Sequence, residues 1–276
     1  MEISIIILAK NEGHNIRECL EGIFRQKVSY SYEVILIDSG SKDATLTIAR
    51  EYKVRIQEIP PEEFGHGKTR NLGASLACGK FLVFLTADAI PANEMWLEKL
   101  VTGISGRKDL AASYSRQLPK PGTSPMESRD IIKVNPPERR IKKLVEPLSR
   151  TRMRALISFQ DVSSCIKKEV WEKIKFSEDL IMSEDQDWAK RVLQAGYGIL
   201  YEPESLVYHS HNYKSKDIFK RSFDEAWSLS QILGWPIFPN PFKEFVTFIY
   251  QLGHDFFIIF SGGDKKIFWL TKGKNI

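Results

Sequence analysis

The first 115 residues alternate short apolar runs with amphipathic stretches, and few architectures accept that pattern. Residues 3–8, 33–37, 54–58, 80–85 and 110–115 read as strands. The first, second and fourth are almost unbroken Val, Ile, Leu and Phe, as in strands covered on both faces of a parallel sheet. Between them the spacing predicts helices over 15–25, 42–52, 69–78 and 93–104, with Gly79 placed to end the third. Strands alternating with helices imply βαβ crossovers, so the fold class is α/β: a mixed, mainly parallel sheet flanked by helices.

The rest of the chain reads differently. Residues 116–155 carry Pro119, Pro121, Pro125, Pro136, Pro137 and Pro147 with little periodicity, and read as a long loop of the kind that forms a lid or binding segment. Within it, 133–154 gathers eight Lys and Arg against Glu138 and Glu146. A helix is expected over 183–195, where Ser183 and Gln186 have capping-box spacing and Gly196 follows. Strands are expected at 199–202 and 206–209. This organisation gives a catalytic-sized unit over 1–215 and a helical extension over 216–276. The stretch 242–270 of that extension is rich in Phe with lysines nearby. Such a composition suits an amphipathic helix at a membrane surface, and equally a helix packed on the protein or on a second copy in a homodimer.

Charge and cysteine usage narrow the function classes. A net charge of +5 is too small to demand nucleic acid, and the basic stretch lacks interleaved aromatics, but it accommodates an anionic substrate or membrane surface. Cys19, Cys78 and Cys165 are too few and too scattered for a disulfide framework or zinc site, which points to a reducing cytoplasm. No basic segment precedes 3–8, and no run of apolar residues is long enough to span a bilayer, so neither a secretory signal nor a transmembrane span is expected. The dinucleotide fingerprint, the P-loop and the esterase elbow are all missing.

Ligands of open α/β sheets bind beyond the carboxyl ends of the strands. Four successive strand ends here carry polar loops: Ala9-Lys10-Asn11-Glu12-Gly13-His14-Asn15, Asp38-Ser39-Gly40-Ser41-Lys42-Asp43-Ala44-Thr45, Phe64-Gly65-His66-Gly67-Lys68-Thr69-Arg70-Asn71 and Thr86-Ala87-Asp88-Ala89-Ile90-Pro91. Any one has a plainer role as turn or cap, Asp38 and Ser41 included. As a set they fit a pyrimidine nucleoside diphosphate bearing a transferable group. Asp38 offers a carboxylate to a ring N–H, Arg70 a donor fork to phosphate or a base edge, and Asp88 a ligand to a divalent ion bridging the diphosphate.

These segments, with Glu184-Asp185-Gln186-Asp187-Trp188 and Val207-Tyr208-His209-Ser210-His211-Asn212-Tyr213, occur in the order found in family 2 glycosyltransferases of the GT-A fold. They resemble the rhamnosyltransferase-like branch most. The resemblance covers residues 2–215 and implies inverting transfer of a sugar, rhamnose in that branch, from a dTDP- or UDP-sugar to a hydroxyl of a saccharide or lipid-linked saccharide in cell-surface polysaccharide synthesis. It places Ala9, Asn11, Glu12, Asp38, His66, Arg70, Asn71, Ala87, Asp88 and Glu184 around the nucleotide sugar and makes Asp185 the catalytic base. Asp88, His209 and His211 are implied as ligands of Mn²⁺ or Mg²⁺, imidazole favouring Mn²⁺. Strand alternation would send the two histidines to opposite sides, leaving His209 as the better ligand.

One position departs from the family: Thr86 stands where its Asp-x-Asp metal motif has the first carboxylate. That departure keeps open a sugar-nucleotide-binding protein without transfer activity. A sugar nucleotidyltransferase fits less well, because residues 9–15 are not a glycine-rich basic loop. His66 either touches the donor or braces its loop, and Trp188 reads as core rather than as a sugar platform.

Overall fold

The computed structural model describes residues 1–145, 148–211 and 215–234. Its sheet begins as four parallel strands, β1 (Ile3–Ala9), β2 (Tyr32–Asp38), β3 (Arg55–Glu58) and β4 (Phe81–Thr86), in the order β3-β2-β1-β4. The crossovers between them contain α1 (Ile16–Phe24), α2 (Thr45–Ala49) and α3 (His66–Leu76). After β5 (Ile90–Pro91), α4 (Trp96–Thr102) and β6 (Leu110–Leu118) come α5 (Pro125–Val134), β7 (Arg140–Lys142), α6 (Arg150–Leu156) and β8 (Ser163–Lys167). The described chain ends with α7 (Lys168–Lys173), α8 (Glu184–Gln194), β9 (Gly198–Tyr208) and α9 (Ser215–Leu233). The sheet continues from β4 as β8-β6-β9-β5, with β7 also on β9. The pairs β4–β8, β8–β6, β9–β5 and β9–β7 are antiparallel, so the sheet is mixed with a parallel half.

The apolar strands are covered on both sides. On one face Ile3, Ile5, Ile7, Val34, Leu36, Val83 and Leu85 share a core with Ile16, Leu20 and Ile23 of α1 and Trp96, Leu97, Leu100 and Val101 of α4. On the other, α3 lies so close that a Cβ on Gly73 would come within 2.4 Å of Ile6. Parallel register places Ala9 opposite Asp38 and Leu8 opposite Thr86, so the loops leaving β1, β2 and β4 start at one edge of the sheet.

The chain divides into two compact units. One comprises 1–117 and 135–209; the other comprises 118–134 and the chain from 210. The first holds the sheet. In the second, the Ser210 hydroxyl bonds that of Thr123 at 2.6 Å, and the His211 backbone N–H donates to Glu127 Oε1 at 2.6 Å.

Several local expectations change for identifiable reasons. The described residues of 116–155 are not a loop, since they hold the end of β6 together with α5, β7 and α6, and Pro125 opens α5. The strands expected at 199–202 and 206–209 form one strand, β9. Helix α2 is shorter than expected because Asp43, just before it, is tied to Gly13 N and Thr45 N. Helix α3 starts three residues early because extended Gly65 caps it and accepts from Thr69 N at 2.7 Å. Gly79 does not end that helix. It lies where β1 begins, and a Cβ there would meet Ile3 C and Ser4 N at 2.6 Å. Ser183 adopts φ 64° and makes no capping bond, while the Gln186 side chain accepts from Arg154 instead. Gly79→Ala is therefore expected to destabilise the fold by about 1–3 kcal/mol, seen as a lower urea midpoint without loss of slope.

Candidate active site

The loops after β1 and β2 are stitched together by the polar side chains of their own motifs. Asn11, itself at φ 56°, accepts the Lys42 N–H on Oδ1 at 2.8 Å and donates its backbone N–H to Ser41 Oγ at 2.8 Å. The Glu12 N–H donates to Thr45 Oγ1 at 2.8 Å, and the Glu12 carboxylate accepts from Asn15 Nδ2 at 2.8 Å. Asp38 is fully buried; its carboxylate accepts Gly40 N at 3.0 Å, Ser41 N at 2.9 Å and Ser41 Oγ at 2.5 Å. It performs the turn role, and a carboxylate with about four lone-pair sites retains one for a further donor. Ala9 and Ala87 are buried beside these loops and present backbone rather than reactive groups.

The centre of the candidate site is a buried charge cluster that joins three elements. Arg70, on α3, reaches Glu184 through Nη1 and lies 3.2 Å from Asp161 Oδ2 through Nε. Its side chain is 8% exposed, against 1% for Asp161 and 5% for Glu184. The Asp161 N–H donates to Asp185 Oδ2 at 3.3 Å, and Ser164 Oγ donates to Asp161 Oδ1 at 2.5 Å. Burial opposes the charge on Arg70, but Glu184, Asp161 and Asp185 outweigh it and raise its pKa. Burial pushes the Asp161 carboxyl up to about 6 against the pull of Arg70. Asp185 is pushed up to about 8, first by burial and then by the charges of Glu184 and Asp161. Arg70 is thus held by carboxylates rather than presented as a fork to phosphate, which corrects the role expected from its loop.

Asn71 is corrected in the same way. It accepts from Trp171 Nε1 at 3.0 Å and Phe176 N at 3.1 Å, and donates to Phe176 O at 3.0 Å and Glu178 Oε1 at 2.8 Å. All four of its hydrogen-bond sites are taken by the protein. His66 opens α3 with its ring edge-on to Phe64 at 5.0 Å, the bracing arrangement. Gly67, next to it, permits the close approach of the chain ahead of α8, since a Cβ would fall 1.9 Å from Ser177 O. Trp188 is core: fully buried, bonded to Ile174 O at 2.7 Å and flanked by Phe159 and Phe176.

At the end of β4, Asp88 Oδ2 lies 3.5 Å from His209 Nε2. His209 Nδ1 lies 2.8 Å from Gln117 Oε1, while Gln117 Nε2 donates to Gln160 at 2.5 Å. That bonding assigns Gln117 Oε1 as acceptor and puts the imidazole proton on Nδ1, so the Nε2 lone pair of the neutral ring faces the Asp88 carboxylate. Two acceptors facing each other call for a proton or a cation, and a histidine oriented from its far nitrogen is how metal-binding imidazoles are held. Among the described residues the buried Thr86 hydroxyl has no hydrogen-bond partner, an arrangement that costs about 1–3 kcal/mol unless a ligand completes it. The donor set fits a divalent ion. His209 and His211 both lie beyond the last residue of β9, so strand alternation does not govern where they point.

Asp161 and Gln117 were not singled out from the sequence. Asp161 stands two residues before Ser163-Ser164, which open β8, and Gln117 continues the alternation Ser113, Ser115 along β6, all three buried. An acid at a strand mouth and a polar residue in register with an inward row are the available signals, and both are weak.

A parallel half-sheet extended by antiparallel strands, with polar loops at the carboxyl edge, is the architecture of GT-A glycosyltransferases. The Glycosyl transferase family 2 profile matches residues 4–162, and the chain belongs to this family of nucleotide-sugar-dependent glycosyltransferases. It is 34% identical over 236 residues to the O-antigen chain rhamnosyltransferase RfbN of Salmonella typhimurium, covering 81% of this chain and 71% of that protein. It is 36% identical over 205 residues to the O-antigen chain rhamnosyltransferase WbaN of Salmonella anatum, covering 73% of this chain and 64% of that one. Among solved structures, the mannosyltransferase PcManGT of Pyrobaculum calidifontis, in complex with GDP-Man and Mn²⁺, matches with a TM-score of 0.60 at 18% identity, covering 84% of this chain and 62% of that one. S. aureus TarS in complex with UDP-GlcNAc matches with a TM-score of 0.59 at 18% identity, covering 83% and 67%.

The cluster predicts a pH-dependent defect. Arg70→Leu leaves Asp161, Glu184 and Asp185 without their cation and is expected to cost about 3–5 kcal/mol at neutral pH. The folded-state pKa values of Asp161 and Asp185 would rise further above the unfolded ones, so the folded state would bind more protons than the unfolded. Stability would then fall with rising pH, and the deficit would shrink toward pH ~4. Urea titrations across that range read it directly.

Proposed function

We propose that the protein transfers rhamnose, from a dTDP- or UDP-sugar, to a hydroxyl of a lipid-linked saccharide at the cytoplasmic face of a membrane, with inversion at the anomeric carbon. Asp185 carries the reading: half-buried at the first turn of α8, its proton affinity is raised by desolvation and then by Glu184 and Asp161. A carboxylate of raised pKa is a strong base once deprotonated, and a positioned base contributes about 10²–10⁴-fold to such a step. Asp185 would take the proton of the acceptor hydroxyl as that oxygen attacks the sugar. Asp38 would take a ring N–H of the nucleobase with its remaining lone pair, between loops already fixed by Asn11 and Glu12. Arg70 acts at one remove, holding Glu184 and Asp161 against the base. The rhamnosyltransferase names of both Salmonella relatives support this donor sugar.

Asp88 and His209, with His211 two residues further along the chain, would hold a divalent ion. When bound, such an ion neutralises charge developing on the diphosphate leaving group. Gln117 keeps His209 in the tautomer that can ligate. The partner-free Thr86 hydroxyl and the Mn²⁺ bound in the Pyrobaculum complex support Mn²⁺ in this role.

Asp185→Asn is expected to keep donor binding by calorimetry while transfer falls by orders of magnitude; near-wild-type turnover would remove Asp185 as the base. The wild-type kcat/KM should rise with pH with a midpoint near 8, as Asp185 deprotonates, and level off about one pH unit above it. Chelation should abolish transfer, and added Mn²⁺ should restore it. Gln117→Leu should weaken Mn²⁺ binding by about 10–100-fold, measured by titration without turnover.

A further inference from the structure

Gln160 stands between the two halves of the site. The residues on either side of it are anchored. Phe159 is buried with its ring against those of Tyr114 and Trp188, and Asp161 is buried on Arg70. Just before them, Lys142 Nζ donates to Ser158 O at 2.6 Å. The backbone at 160 is therefore fixed, and its half-buried side chain accepts from Gln117 Nε2 at 2.5 Å through Oε1. Buried Gln117 turns its own Oε1 to His209 Nδ1 at 2.8 Å, and His209 Nε2 lies 3.5 Å from Asp88 Oδ2. Two side chains, Gln117 and His209, thus lie between residue 160 and Asp88.

A carboxamide has donors at one end and an acceptor at the other, and a neutral imidazole carries its proton on one nitrogen only. This chain of groups therefore has two self-consistent proton patterns. In the first, Gln160 presents oxygen, Gln117 donates to it and accepts from His209 Nδ1–H, and the Nε2 lone pair faces Asp88 with room for a cation between them. In the second, the Gln117 amide is turned end for end. Its NH₂ then donates to Nδ1, and the imidazole proton sits on Nε2, where it donates to Asp88. The second pattern satisfies Asp88 and His209 with no cation and shuts one out. It also sets Gln117 Oε1 against residue 160, so an oxygen presented there opposes it, because two acceptors in contact leave both unsatisfied. An NH₂ presented there would favour it instead. The proton pattern at His209 thus follows the group that residue 160 presents, and in this structure that group is an oxygen. We propose that Gln160 is a positioning residue: through the Gln117 amide it decides which nitrogen of His209 carries the proton, and so whether Nε2 can take a cation. The inference deepens the metal reading given above and rests on it for its purpose.

The test reads the tautomer directly, by ¹⁵N NMR of the imidazole nitrogens in the metal-free full chain at about pH 9, where an imidazole is neutral. The His209 signals are assigned by their loss in His209→Gln. The wild type should carry the proton on Nδ1. Gln160→Met keeps the length of the side chain and removes the acceptor. It should move the proton to Nε2 and, in a calorimetric titration with Mn²⁺ alone, weaken binding about tenfold. Gln160→Glu restores an acceptor and should keep the proton on Nδ1 without loss of Mn²⁺ affinity. A wild type with the proton on Nε2 would overturn the proposal, and that measurement needs no variant to fold. So would Gln160→Met with the wild-type tautomer. Gln160→Glu that shifts the proton as Gln160→Met does would also overturn it, since the side chain would then act by packing. The expected tautomers in a chain that binds no Mn²⁺ would support the role of Gln160 and count against the metal reading instead.

Discussion

The ion cluster around Arg70 ties the distant parts of the site together. One guanidinium on α3 holds Asp161 at the mouth of β8 and Glu184 at the first turn of α8. Asp161 in turn donates its backbone N–H to Asp185. In the low dielectric of the interior each of these charges is tolerable only because the others are present, and three acids around one base leave an excess of negative potential. That excess adds to the desolvation of Asp185 and raises its affinity for a proton. The same arrangement that fixes Asp185 in place therefore helps set its proton affinity, at a cost in stability concentrated at this site.

Two non-glycine residues among those described have positive φ, and they flank this machinery: Asn11 in the loop after β1 and Ser183 immediately before Glu184. Such conformations cost about a kilocalorie or more and persist where surrounding bonds over-determine them. Asn11 is held by Ser41 and Lys42. Ser183 gives up its capping role, and the chain turns so that Glu184 and Asp185 enter the cluster together. The parallel register does the rest, since Ala9, Asp38 and Thr86 end their strands at one edge and start their loops side by side.

The fold was readable because continuous Val, Ile and Leu runs have one economical solution, a sheet covered on both faces. The position of the donor loops followed from where those runs stop. What the side chains in the loops do was much less readable. Asn71 and Arg70 stand in a motif that pointed outward to a ligand, yet Asn71 spends every hydrogen bond on Trp171, Phe176 and Glu178, and Arg70 is neutralised by residues more than ninety positions away. Ser183 and Gln186 matched a capping box by spacing, and φ 64° at Ser183 defeated it. The expected stretch over 242–270, with its phenylalanines, lies outside the described residues.

By itself the sequence determined the α/β class, the strand ends at which a ligand meets the sheet, and Asp185 as the acid to watch, because periodicity and motif order are local properties of the chain. Tertiary structure alone decided that Asp161 joins Arg70 and Glu184 and that Gln117 orients His209 toward Asp88. The physical reason is common to both. A side chain's protonation, tautomer and exposure depend on neighbours brought by packing, and those neighbours come from strands and helices far apart in the chain.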